Sequence, residues 1–140
     1  MSILDFLFRK KNAQDSARTA DKKSCKALLE DKETQDSTRT LIEKSCEVLT
    51  AYKEFPNRVC FDVPETPYLA HIIIDKDSVH EGDQWYLRVG VTEQSSDKMF
   101  SCFLNHWSRE NFFAELNSDK TKAEIFDTIK NMCIRADKDD

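Results

Sequence analysis

The sequence predicts a two-layer α+β domain in which an antiparallel four-stranded meander is packed with N-terminal and C-terminal helices. Two observations carry this reading. Apolar residues recur at helical spacing up to Phe55, alternate one by one between residues 57 and 106, and return to helical spacing after Ser108. The connections inside the alternating stretch are short and polar, so consecutive strands join as hairpins and not through crossovers. A chain of 140 residues is long enough for one domain whose core needs no disulfide or metal.

The first helical region contains an internal repeat. When residues 14–33 are set above residues 35–54, 11 of the 20 aligned positions are identical (Gln, Asp, Ser, Arg, Thr, Lys, Ser, Cys, Leu, Lys, Glu), where composition alone gives about one. The offset of 21 residues is three heptads, which preserves helical phase, so both copies read as helix. In the second copy Leu41, Ile42, Val48, Leu49, Tyr52 and Phe55 form an apolar stripe, whereas Ala20, Asp21, Ala27, Leu28 and Asp31 stand at matching positions in the first. The second copy is therefore expected to pack and the first to be largely solvated. Asp15 with Ser16, and Asp36 with Ser37, are candidate N-caps, which predicts two helices with a break near Thr34 and Gln35.

Residues 58–63 alternate Val59, Phe61 and Val63 with polar positions and end in the turn Pro64-Glu65-Thr66-Pro67. Strands are expected over 68–75, 84–92 and 98–105; in the third strand Trp85, Leu87, Val89 and Val91 share a face. In the last strand Phe100, Cys102 and Leu104 share one face, with Met99 and Phe103 on the other. Ser108 is an N-cap candidate for a short helix carrying Phe112, Phe113 and Leu116. Ser118 or Asp119 opens a longer helix with Ile125, Phe126, Ile129, Met132 and Cys133 on one side. The expected organisation is an amphipathic segment and polar first repeat over residues 1–35, the α+β domain over 36–136, and an acidic tail over 137–140.

Composition excludes several functions. Gly82 and Gly90 are the two glycines of the chain, and neither sits in a G-x-G-x-x-G or G-x-x-x-x-G-K-[ST] setting, which argues against a Rossmann or P-loop nucleotide enzyme. No apolar run approaches the length needed to cross a bilayer, so no transmembrane segment is expected. The opening MSILDFLFRKK carries its basic residues after the apolar ones and has an acid within the run, unlike a secretory signal; Ser2 excludes myristoylation. Five widely spread cysteines (25, 46, 60, 102 and 133), with no C-x-x-C and no zinc-finger spacing, read as reduced thiols in a cytoplasmic protein. A net charge of −5 opposes nucleic-acid binding and leaves a basic protein as the fitting partner.

No motif specifies a reaction, and neither a cofactor nor a metal site is expected. The stretch 75–83 collects Asp75, Asp77, Glu81 and Asp83 but lacks the fifth- and twelfth-position ligands of a calcium loop. Together with Glu93 and Asp97, if the two hairpin ends lie close, these carboxylates are read as a negative surface that docks a basic partner. His71, His80 and His106 are not spaced as metal ligands, although Cys60 or Cys102 with His71 is the pair from which a Cys/His hydrolase would be built. Leu69, His71, Ile73, Met99 and Phe103 mark a mixed patch on the second sheet face, suited to a partner or a homodimer unless the first helix covers it. Residues 1–11 fit either docking onto the domain or an anionic membrane surface, the former being preferred.

At the level of class the profile is similar to bacterial immunity proteins, small cytoplasmic inhibitors that neutralise a toxin domain by stoichiometric binding. That similarity implies no catalytic residues, with Trp85 or Trp107 as aromatic anchors. The alternative binding function is an acidic secretion chaperone, which would be a stable homodimer.

Overall fold

A computed structural model describes residues 24–53, 55–76, 84–96 and 98–138. Their order is α1 (Cys25–Glu30), α2 (Lys32–Tyr52), β1 (Asn57–Asp62), β2 (Tyr68–Lys76), β3 (Gln84–Glu93), β4 (Met99–Ser108), α3 (Phe112–Leu116) and α4 (Asp119–Lys138). The strands form one antiparallel sheet in the order β1-β2-β3-β4, the meander that the short connections predict.

The alternation of the strands divides the sheet into two faces. Val59 and Phe61 of β1, Ala70, Ile72 and Ile74 of β2, and Leu87, Val89 and Val91 of β3 are fully buried on the face that meets the helices. Ile42, Cys46 and Leu49 of α2 close this core from one side, and Ile125, Ile129 and Cys133 of α4 from the other. Burial of this contiguous apolar surface is the main favourable term of the fold.

The helix break exists, but at Asp31 and not near Thr34–Gln35. Asp31 closes α1 and, through its carboxylate, accepts the Thr34 N–H at 3.2 Å to cap α2. Asp36 and Ser37 lie inside α2, where a helix already running needs no cap. The two repeat copies use the same dipeptide differently. Ser24 caps α1 by accepting the Ala27 N–H, whereas its counterpart Ser45 is buried in mid-helix and donates to the Leu41 carbonyl at 2.7 Å. Both repeat cysteines, Cys25 and Cys46, are buried, and Leu29 joins them, so the described part of the first copy, otherwise mostly exposed, anchors to the core through Cys25 and Leu29. The candidate caps Asp15 and Ser16 lie outside the described residues.

At the other end of the chain, Asn111 occupies the N-cap position of α3 in place of the expected Ser108, which belongs to β4. Ser118 accepts the Thr121 N–H at 3.2 Å ahead of α4, as its sequence context predicts. Helix α4 runs through to Lys138; Ala136 is buried and Asp137 is half-buried and hydrogen-bonded, while Lys138 is exposed.

Candidate functional site

The meander decides where the predicted acidic residues stand. Asp75 lies opposite Tyr86, near the end of the sheet where β2 finishes and β3 starts, and Glu93 lies opposite Tyr68 at the other end. At the rise of a β-strand the seven residue steps from Tyr68 to Asp75 separate them by roughly 23 Å. Glu93 therefore does not join Asp75 in one surface, because successive hairpins of a meander turn at opposite ends. Asp75 accepts from its neighbour Lys76 N–H at 2.7 Å and from the Tyr86 hydroxyl at 3.4 Å, and Glu93 accepts from Ser95 at 2.8 Å. Asp77, Glu81, Asp83 and Asp97 lie outside the described residues, as do His80 and residues 1–11. Among the described residues no group of three or more His, Cys, Asp or Glu is arranged to hold a metal ion.

The sheet does bring together one of the two predicted cysteine–histidine pairs. Cys60 and His71 face each other across the β1–β2 ladder, on the face away from the helices. Cys60 Sγ lies 3.1 Å from His71 Nδ1, and His71 Nε2 lies 2.8 Å from Thr92 Oγ1. Opposite His71 on β3 stands Gly90, so the imidazole reaches past a position without a side chain to the threonine two residues on. A thiol that can pass its proton to an imidazole held by a third group is the arrangement of a cysteine nucleophile. Cys60 and His71 are nevertheless only 2% and 6% exposed. Cys102, the alternative partner, sits on β4 opposite Val89, two strands from His71, and is exposed.

An open concavity among the described residues lies elsewhere, at the end of the sheet that also carries Asp75. Lys53, Trp85, Arg109, Glu110 and Phe113 line a cleft of about 470 Å³. Its floor is an aromatic cluster that sequence reading missed as a unit: Phe55 lies 4.2 Å from Trp85, and Trp85 lies 5.6 Å from Phe112 and 5.9 Å from Phe113. Trp107, paired with Trp85 in the β3–β4 ladder, closes the cluster at 5.5 Å from Phe112. Such tilted and edge-on ring pairs add to the area they bury.

The cleft is positioned by local features that are legible in hindsight. Lys53 ends α2 in the left-handed conformation (φ 50°), its N–H returning to the Leu49 carbonyl, and its ammonium lies 5.5 Å above the Phe113 ring. Asn117 donates to Thr50 Oγ1 and to the Phe113 carbonyl, both at 2.7 Å, which fixes α3 against α2. Asn57, at the same end of the sheet, is 8% exposed, and its side-chain amide nitrogen lacks a partner among the described residues. The signal for this site was the concentration of Phe55, Trp85, Trp107, Phe112 and Phe113 near element ends; their convergence requires the tertiary fold.

No helix of the described residues is long and apolar enough to cross a membrane. No family model, curated protein or solved structure matches the chain.

Proposed function

We propose that the chain is a non-enzymatic binding protein of the reducing cytoplasm, and specifically an immunity-type inhibitor that neutralises a basic toxin domain by stoichiometric binding. The observation that carries this reading is the aromatic-floored cleft at Trp85, open to solvent at a sheet end that also bears Asp75. Aromatic side chains in a partly enclosed site supply the desolvated centre on which most of a protein interface's energy rests. The net charge of −5 favours encounter with a cationic surface and speeds association at low salt. Glu110 lines the cleft, and Asp75 stands at the same end of the sheet on its other face; the remaining acids of 75–83 are the proposed extension of this surface.

The test is a tagged pull-down at low salt, followed by light scattering of the eluted complex. A basic protein held at one partner per chain, and released by Trp85→Ala or by neutralising Asp75, Asp77, Glu81 and Asp83 together, supports inhibition. Retention indifferent to both changes, or no retained protein, overturns it. An extended exported protein carried by a homodimer moves the function to the secretion chaperone.

A second reading, a Cys/His hydrolase, is favoured by one observation, the Cys60–His71–Thr92 chain. It requires substrate to reach a thiol that is 2% exposed. Rapid alkylation of Cys60 in the native protein, slowed by His71→Ala, would support it.

A further inference from the structure

The sheet's outer face is unevenly protected. Leu69 and His71 are buried and Ile73 is half-buried, so the mixed patch predicted there is not open at β2. It is open at β4, an edge strand among the described residues, where Met99 and Phe103 are each 50% exposed. Between them Ser101 and Cys102 are exposed as well, although Cys102 stands opposite the buried Val89 on the helix side. The first half of β4 therefore exposes Met99, Ser101 and Phe103 on the outer face, and Cys102 on the inner, while Phe100 stays half-buried against the core.

Its chemistry is unusual for an edge. Natural edges are blunted by charge or proline, because an unpaired row of N–H and C=O groups invites another strand. Met99–Ser108 contains no Asp, Glu, Lys, Arg or Pro, in a chain of which 34% is charged. The register irregularity opposite Leu87 and Arg88 falls in the far half of the strand, and Met99–Phe103 pairs with β3 in unbroken register.

We propose that this segment pairs with its own copy, joining two chains into an isologous dimer with a continuous eight-stranded sheet. One register suits the observed side chains. Antiparallel pairing centred on Ser101 sets Met99 of each chain against Phe103 of the other, twice, and Phe100 against Cys102. The two most exposed apolar side chains of the sheet are then each other's partners, which is the self-complementarity a two-fold interface demands. A partner of opposite charge has nothing to read on this strand, whereas two copies of an anion with net charge −5 need such a neutral strip to approach. The proposal is independent of the Trp85 cleft, which lies at the other end of β4 beside Trp107.

Light scattering of the full chain at tens of micromolar tests it. The expected mass is twice the 16.3 kDa of one chain. Ser101→Lys, which sets like charges face to face on the dyad, is expected to return the single-chain mass with unchanged circular dichroism. A second pair of variants does not depend on Ser101→Lys folding. On a Cys102→Ser background, Ser101→Cys should form an intermolecular disulfide when oxidised glutathione takes the two electrons and leaves as two glutathione thiols. Antiparallel partners have Cα atoms within the span a disulfide bridges. Ser95→Cys, exposed in the β3–β4 turn, should not crosslink. A wild-type chain that is monomeric throughout overturns the proposal. A dimer that survives Ser101→Lys, or equal crosslinking at residues 95 and 101, does so too.

Discussion

The carboxylate of Asp137 accepts a hydrogen bond from the phenol of Tyr68 at 3.0 Å. Its other oxygen takes the backbone N–H of Cys25 at 2.7 Å, one of the donors that the start of a helix leaves without an intrahelical partner. One side chain in the last turn of α4 thus ties together the start of β2 and the start of α1. Asp137→Ala leaves a buried phenol and a helix N–H without their acceptor, and is expected to lower stability by about 1–3 kcal/mol. Urea unfolding measures this, and the loss in Asp137→Ala should shrink on a Tyr68→Phe background because part of it is shared.

Stability should fall on the alkaline side, beginning near pH 9. Burial pushes the Cys46 thiol from 9.0 up to about 12. A hydrogen bond with Cys133, together with burial, raises Cys25, and burial followed by the Asp137 carboxylate raises Tyr68. Each group is neutral when protonated, so the folded chain keeps a proton that the unfolded chain has already released. Their contribution is complete below the unfolded values and is lost as pH rises through the window from 9.0 towards 12 for Cys46. Urea midpoints between pH 8 and 11 should fall more steeply for the wild type than for Cys46→Ala.

The five cysteines should separate sharply in reactivity. Cys25, Cys46, Cys60 and Cys133 are buried and Cys102 is exposed. Ellman's reagent at neutral pH should titrate one thiol quickly in the native chain, none quickly in Cys102→Ser, and all five after unfolding. A second fast thiol that maps to Cys60 would favour the hydrolase reading.

Gly90 should not tolerate a side chain. A Cβ at this position would lie 2.8 Å from the Phe100 carbonyl oxygen and 3.3 Å from Ser101 Cβ, both on β4. Backbone cannot yield as a flexible side chain does, so Gly90→Ala is expected to destabilise by about 1–3 kcal/mol, measured by urea unfolding, through the strain it places on the β3–β4 ladder.

The four strands and their order were legible because alternation and short connections are local signals; Val59 and Phe61, or Leu87 through Val91, declare a buried face without reference to the rest of the chain. The helix break was misplaced because Asp31 and Asp36 are equally good caps by type, and only the packing of Leu29 and Cys25 decides between them. The described part of the first repeat is largely exposed, as expected, but Cys25 and Leu29 are buried, and Leu29 lies one residue outside the stripe inherited from the second copy. The separation of Asp75 from Glu93 follows from the meander itself. Cys60 with His71 was legible from neighbouring strands, whereas the Phe55–Trp85–Phe113 cluster draws on α2, β3 and α3 and leaves no local trace. The exposure of Cys102 also escaped, since alternation assigns a face but not where the helical layer stops.

Stoichiometric binding through the Trp85 cleft is tested most directly by titrating the captured partner into wild type, Trp85→Ala and Cys60→Ser by calorimetry. The expected result is saturation at one partner per chain, weakened by at least about thirtyfold in Trp85→Ala, the size of an interface hot spot, and unchanged in Cys60→Ser. Binding that is equal in wild type and Trp85→Ala, or heat that continues as turnover and vanishes in Cys60→Ser, would contradict it.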